Sequence, residues 1–366
     1  MRILRWRLCL FLLLSDFARA ICDESVLCQS DRMADSRTCV GDGRTRSCYF
    51  SGWSIMDFDD FVLHVAPEVC GMLVNMKQIG IIAFANFRKW KKNPKIWLAF
   101  GLGFVLSFLL SDKVIVFAKD KDTVLQVLEP FIWTFGDAKS ILTISLCLLL
   151  IFSDMPNLSK ETPFLLIRVN RAVWMLGQIF YTVTASTLFT GFILLATSIV
   201  SGRNAYAGNM WSETAAILAY SDIGREIAVP SVVKVLELSF PYQCGSHIFL
   251  LMTGYSLLLS ALILYFNLWR QNGGMIAGIL FSAYGFLANP EMLSQILRIP
   301  EEQMAKANIL FGWISPLNHA TYAMHNFGYD NLPKLWVSYL AFFVGSFLVF
   351  GIGLHKIQRY TFDFTG

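Results

Sequence analysis

The sequence predicts an all-α polytopic membrane protein with six transmembrane helices, an amphipathic N-terminal elbow and re-entrant or interfacial helices on its outer side. Three observations predict it. Hydrophobic residues make up 55% of the 366 and charged residues only 15%, against roughly 25% charge in a soluble domain. Six apolar stretches approach the roughly 20 residues that a helix needs to cross a bilayer. Finally, Arg88, Lys89, Lys91, Lys92 and Lys95 abut the apolar stretch that begins at Ile96. Such clusters stay on the cytoplasmic side, so this junction orients the first crossing outward. The net charge of +4 is small and divided by loop, which suits membrane orientation and argues against a nucleic-acid partner. The mean hydropathy of +0.53 agrees.

Residues 1–71 stand apart. Arg2, Arg5 and Arg7 precede the apolar run Leu8–Leu14, and Ala18-Arg19-Ala20 resembles a signal cleavage site. An exported signal would place Arg88–Lys95 outside, against the orientation rule. A true signal, a short extra anchor and a later start at Met72 or Met76 all remain open. The reading adopted is a mis-set start or a disordered extension over 1–71, followed by a membrane domain over 72–366. Cys22, Cys28, Cys39, Cys48 and Cys70 fall in the first part at irregular spacing, and no paired Cys-x-x-Cys motif occurs among the eight cysteines. No zinc site is expected.

From Lys77 to Phe87 an amphipathic stretch leads into the basic run, and the two form the elbow. The predicted crossings come next, at Ile96–Ala118, Phe131–Phe152, Gln178–Val200, His247–Leu268, Met275–Ala288 and Trp336–Leu354. The second is weakened at its start by Asp137 and Lys139, and the fifth stops short at Asn289-Pro290. From residue 88 onward the inside pieces hold Arg88, Lys89, Lys91, Lys92, Lys95, Lys160, Arg168, Arg171, Arg270, Lys356 and Arg359 against Asp154, Glu161 and Asp363. In the outside pieces acidic residues outnumber basic ones. Both ends of the six-helix unit are therefore predicted to be cytoplasmic.

Two outer segments are long. Residues 201–246 contain Trp211-Ser212-Glu213-Thr214 and an apolar-leaning run to Tyr220, read as a short interfacial helix. Residues 289–335 carry Pro300-Glu301-Glu302, Trp313 and Pro316, read as re-entrant or interfacial helices. Asp112-Lys113 is read as a span end at the headgroups rather than a substrate path. Gly274 and Gly278, with Ser282 one turn on, form a small-residue face for close helix packing.

Few residues offer chemistry. The Gly-x4-Gly-Lys-Ser/Thr phosphate cradle and the His-Glu-x-x-His zinc motif are both absent. His319 and His325 lie six apart and would not share a helical face, so they read as polar loop residues. Glu301-Glu302 is followed by Lys306, where some membrane proteases carry an arginine, and reads as a helix-start pair. Most distinctive is the inner segment Pro163–Tyr181, in which Arg168, Arg171 and Trp174 recur every three residues before Gly177 leads into the third crossing. It reads as a lipid-anchored amphipathic elbow or as a docking helix for a cytoplasmic partner.

This layout resembles the permease subunits of ABC-2 type transporters. The resemblance covers roughly residues 72–366 and rests on layout more than motif; residues 1–71 depart from it. It implies an elbow over Lys77–Lys95, a coupling segment over Ser159–Gln178 and a re-entrant part within Pro290–Asp330. It further implies two paired permease copies in a bacterial cytoplasmic membrane, each receiving a separate ATPase. Docking would involve Arg168, Arg171, Trp174 and Gln178. The chain itself would be no enzyme and hold no cofactor, ATP and Mg belonging to the ATPase. Export is the direction implied. A polytopic sensor or scaffold without an ATPase is the alternative.

Overall fold

The computed structural model describes residues 75–358 apart from 157–161, 163–165, 167, 222, 271–272, 288–289, 299, 301–302 and 329. The expectations for residues 1–71 and for Glu301-Glu302 lie outside the described residues. The chain divides into two compact units, Met1–Ile79 and Gly80–Gly366. Of the first, residues 75–79 are described, and all are helical. The helical bundle is the second.

The described chain is mostly helical. Helix α1 covers residues 75–90. After a two-residue turn, α2 runs Pro94–Asp120 with Asn93 as its cap and Pro94 in its first turn, a pairing suited to starting a helix abruptly. Next come α3 (Glu129–Thr134), α4 (Ala138–Phe152) and α5 (Arg171–Ser201). The segment after α5 holds α6 (Glu213–Tyr220), α7 (Ile223–Glu226) and α8 (Val233–Leu238). Then come α9 (Pro241–Trp269), α10 (Gly273–Leu287), α11 (Pro290–Leu297), α12 (Met304–Ile314), α13 (Pro316–Ala320) and α14 (Leu335–Gln358). One parallel ladder, Leu125–Gln126 (β1) with Ala205–Tyr206 (β2), ties the loops after α2 and α5 together.

Among the described residues, four helices (α2, α5, α9 and α14) are long and apolar enough to cross a membrane. Counting α10 and α11 as one span bent by 87° makes five. The expected second crossing differs. It is broken at Phe135-Gly136-Asp137 because the Asp137 carboxylate accepts from Ser140 N at 3.0 Å and caps a new helix. Gly136 also lies so close to Pro230 that an added Cβ would sit 2.8 Å from its ring. The remaining α4 has 15 residues, about 22 Å at 1.5 Å per residue, short of the roughly 30 Å hydrocarbon core. The expected fifth crossing is likewise a 15-residue helix.

Helix α9 is the centre of the bundle and packs against α4, α5, α10 and α14. A little over half of its apolar window (56%) is buried inside the chain, against 28–39% for the other three. Where apolar surface gains nothing from leaving lipid, close packing and interhelical hydrogen bonds hold helices together. Ser256 Oγ donates to Ser186 Oγ at 2.8 Å, and Ser145 Oγ lies 3.0 Å from Tyr255 OH. The outward faces of α2 and α14 present Trp97, Phe108, Phe343 and Phe347, all exposed, as lipid contact requires.

Candidate functional site

One end of the bundle carries a set of basic residues, Arg88, Lys89, Lys91, Lys92, Lys95, Arg168, Arg171, Arg270 and Lys356, with Asp154 among them. Helix α1 lies there. Its residues Ile82, Ala83 and Asn86 are buried, spaced by three and four, while Ile81, Phe84 and Arg88 face outward. That is the pattern of a helix lying in an interface with one apolar flank toward lipid. The inner flank docks on α5. Asn86 Nδ2 donates to Gln178 Oε1 at 2.9 Å, and Trp90 Nε1–H donates to Tyr181 OH at 2.8 Å. The Phe87 ring meets both Trp90 and Tyr181 edge-on, with centroids 4.9 Å away in each case, a favoured aromatic geometry.

Further contacts pin the same end. Lys95 Nζ pairs with Asp154 Oδ1 at 2.6 Å, and Asn93 Nδ2 donates to Asp154 Oδ2 at 3.2 Å. Both partners are well exposed, so the pair contributes at most about 1 kcal/mol. Asn267, near the end of α9, binds more segments. Its Nδ2 donates to the carbonyls of Ser153 and Met155 just past α4, and its Oδ1 accepts from Gly274 N at 2.8 Å at the start of α10. Asn267→Leu would strand those groups at about 1–3 kcal/mol each. Such a variant is expected to melt well below wild type, and one melting at the wild-type temperature would show that the bridge carries no stability.

The sequence-predicted residues fall into three sets. Arg168 is exposed, and the helix is interrupted between it and α5, so it shares no continuous helical face with Arg171. Arg171 opens α5 behind its cap Asn170, and its Nη1 donates to Gln358 O at 3.1 Å, joining α5 to the end of α14. Trp174 and Gln178 are 2% and 1% exposed. They are packed inside the chain and lie in no surface stripe, because α5 runs unbroken through Gly177 and turns that face toward its neighbours. Arg88, Lys91 and Lys92 are exposed and Lys89 half-buried around the elbow turn. Gly274 and Gly278 serve packing within this chain. An added Cβ would meet Ile263 O at 2.1 Å and Leu149 Cδ2 at 2.4 Å respectively.

At the opposite end Asp112 and Lys113 are exposed, and Lys113 Nζ donates to Ile227 O at 3.2 Å. They line no interior path. Two arrangements there escaped sequence reasoning. Glu129, fully buried, accepts from Ser212 N (2.8 Å), Ser212 Oγ (2.7 Å) and Gln126 N (3.2 Å). Burial pushes its pKa up to about 7, against those hydrogen bonds. His319 and His325 converge on Ser338, although their spacing forbids a shared helical face. The chain leaves α13 at Thr321 and folds back. Asn267, one amide in an apolar stretch, was the sole local signal of the bridge at the basic end. Among the described residues no group of three or more metal-ligating side chains occurs.

No family model, curated protein or solved structure matches the chain.

Proposed function

We propose that this chain is the membrane-spanning permease subunit of an ATP-driven ABC-2 type transporter, working as an exporter with a second permease copy and a separate ATPase. The observation that supports it is the way the elbow helix is locked, through Asn86–Gln178 and Trp90–Tyr181, to the helix that directly follows the basic inner loop. A push on that loop would move the elbow, α5 and, through Arg171, the end of α14 together. Rigid, hydrogen-bonded elements of this kind can carry a partner's motion into a bundle.

In this reading the basic end is cytoplasmic, in a bacterial cytoplasmic membrane. The crossings number six, including the Phe131–Phe152 stretch, whose break at Phe135 is buried in protein, and the bent α10–α11 pair. Arg168 and Arg171 meet the ATPase, Trp174 and Gln178 carry its displacement inward, and Arg88, Lys89, Lys91 and Lys92 hold the elbow at the headgroups. ATP and Mg belong to the partner. The chain contributes two arrangements of one pathway, with different affinities on the two sides.

The test is affinity purification of the tagged chain from its native membrane. An ATPase is expected in near-equal amount, and at least tenfold less of it with Arg168→Glu and Arg171→Glu combined. The double variant must keep the wild-type melting temperature for the comparison to count. Recovery of an intact chain with no ATPase would overturn the reading in favour of a sensor or scaffold.

A further inference from the structure

We propose that His319, Ser338 and His325 form a single-proton site that latches the outer segment 316–325 onto helix α14. Both rings are engaged at both nitrogens. His319 Nε2 lies 2.9 Å from Trp313 O and its Nδ1 2.7 Å from Ser338 Oγ. His325 Nδ1 lies 3.1 Å from Tyr322 O and its Nε2 2.8 Å from the same Ser338 Oγ. His319, Ser338 and His325 are 8%, 0% and 0% exposed, so the three groups are shut off from bulk solvent.

A carbonyl only accepts, so each ring must spend one N–H on its carbonyl. Two neutral rings then aim two bare nitrogens at one hydroxyl, which has one hydrogen. Four contacts share three protons, and one nitrogen faces the Ser338 oxygen lone pair to lone pair. One added proton completes the set, since one ring becomes an imidazolium that donates to Ser338 Oγ while the hydroxyl donates to the other ring. A second proton would leave the hydroxyl without a ring nitrogen to accept its hydrogen and would place two charges across one oxygen.

The surroundings set the range of pH. Burial lowers the pKa of His325 to about 4, with the charges of His319 and Lys234 adding to it, and burial lowers His319 as well. From α8, Lys234 Nζ donates to His325 O at 2.7 Å and is ion-paired with Asp330. From α9, His247 stacks on Tyr322 and lies 2.8 Å from Tyr339 OH. The buried Cys244 borders the same small cavity as Tyr322. Against these opposing influences the shared hydroxyl favours one proton and only one. The pair therefore titrates as a unit, below the ordinary pKa of about 6.5. Gaining that proton closes the fourth bond and fastens 316–325 to α14.

The experiment uses the full chain in lipid nanodiscs with 15N-labelled histidine, followed by NMR from pH 8 to 4.5. His319 and His325 are assigned from single glutamine variants. The pair is expected to take up one proton, with a midpoint about one pH unit or more above that in Ser338→Ala. Ser338→Thr keeps the hydroxyl and should keep the wild-type midpoint. In parallel, amide exchange over 316–325, corrected for its intrinsic pH dependence, is expected to slow about tenfold from pH 7.5 to 5 in the wild type and not in Ser338→Ala. Two rings that stay neutral to pH 4.5, two independent protons, or the same midpoint in Ser338→Ala would overturn the site.

Discussion

Gly274→Ala is expected to destabilise the protein by about 3 kcal/mol or more, the upper end of overpacking losses. The added methyl would sit 2.1 Å from Ile263 O and 2.7 Å from the Asn267 side chain. The first obstacle is backbone in the middle of α9's last turns, and it cannot rotate away. The second is the amide that bridges α4, α9 and α10, so the insult spreads to three helices. Gly278→Ala meets the end of the flexible Leu149 side chain and should cost less, about 1–3 kcal/mol. Gly101 has nothing within 4 Å of its missing Cβ. There alanine should be neutral or stabilise by up to about 1 kcal/mol through helix propensity. Thermal unfolding of the three variants in one detergent would check the order. A Gly274→Ala protein that melts with Gly101→Ala would refute the close approach.

Stability is also expected to fall as pH rises, through Glu129. Its carboxyl pKa is raised from 4.5 to about 7 in the fold by burial. The folded state therefore holds this proton more tightly than the unfolded one. The contribution is full below 4.5, fades between 4.5 and 7 and is gone above. A shift of that size corresponds to about 3 kcal/mol, the hydrogen bonds from Ser212 and Gln126 having already been set against burial. Glu129→Gln keeps the shape and removes the titration. The measurement is the melting temperature of both proteins from pH 4.5 to 8. The wild type should lose stability relative to the glutamine variant across that range, and parallel curves would show that the carboxyl is already ionised throughout.

Much of the helical layout was legible because lipid imposes length and apolarity on every crossing. The long helices α2, α5, α9 and α14 contain their predicted stretches nearly residue for residue, and the interfacial helix expected after Trp211 is α6, capped by Ser212. The junction at Arg88–Lys95 was legible as a charge boundary, while the helix start at Asn93-Pro94 inside it went unread. The interruption of the second stretch was harder. Asp137 weakened the hydropathy, but whether an aspartate caps a new helix or is tolerated within an old one depends on Pro230, nearly a hundred residues away, pressing against Gly136. Burial of Trp174 and Gln178 was hidden for a related reason. A basic and aromatic period of three looks like a surface face, and nothing local shows that Trp174 is buried or that α1 seats on Gln178.

The docking of α1 also imposes a schedule. Trp90 meets its partner 91 residues later in the chain, and Asn86 meets its own 92 residues later. At about 5–20 residues per second of synthesis, the elbow waits roughly 5–20 s for Tyr181 and Gln178 to emerge. Through that interval its tryptophan and asparagine have only lipid headgroups and water for company. The earliest-made helix of this corner is thus seated only after α5 exists, and its seating marks the moment when the first half of the bundle has closed.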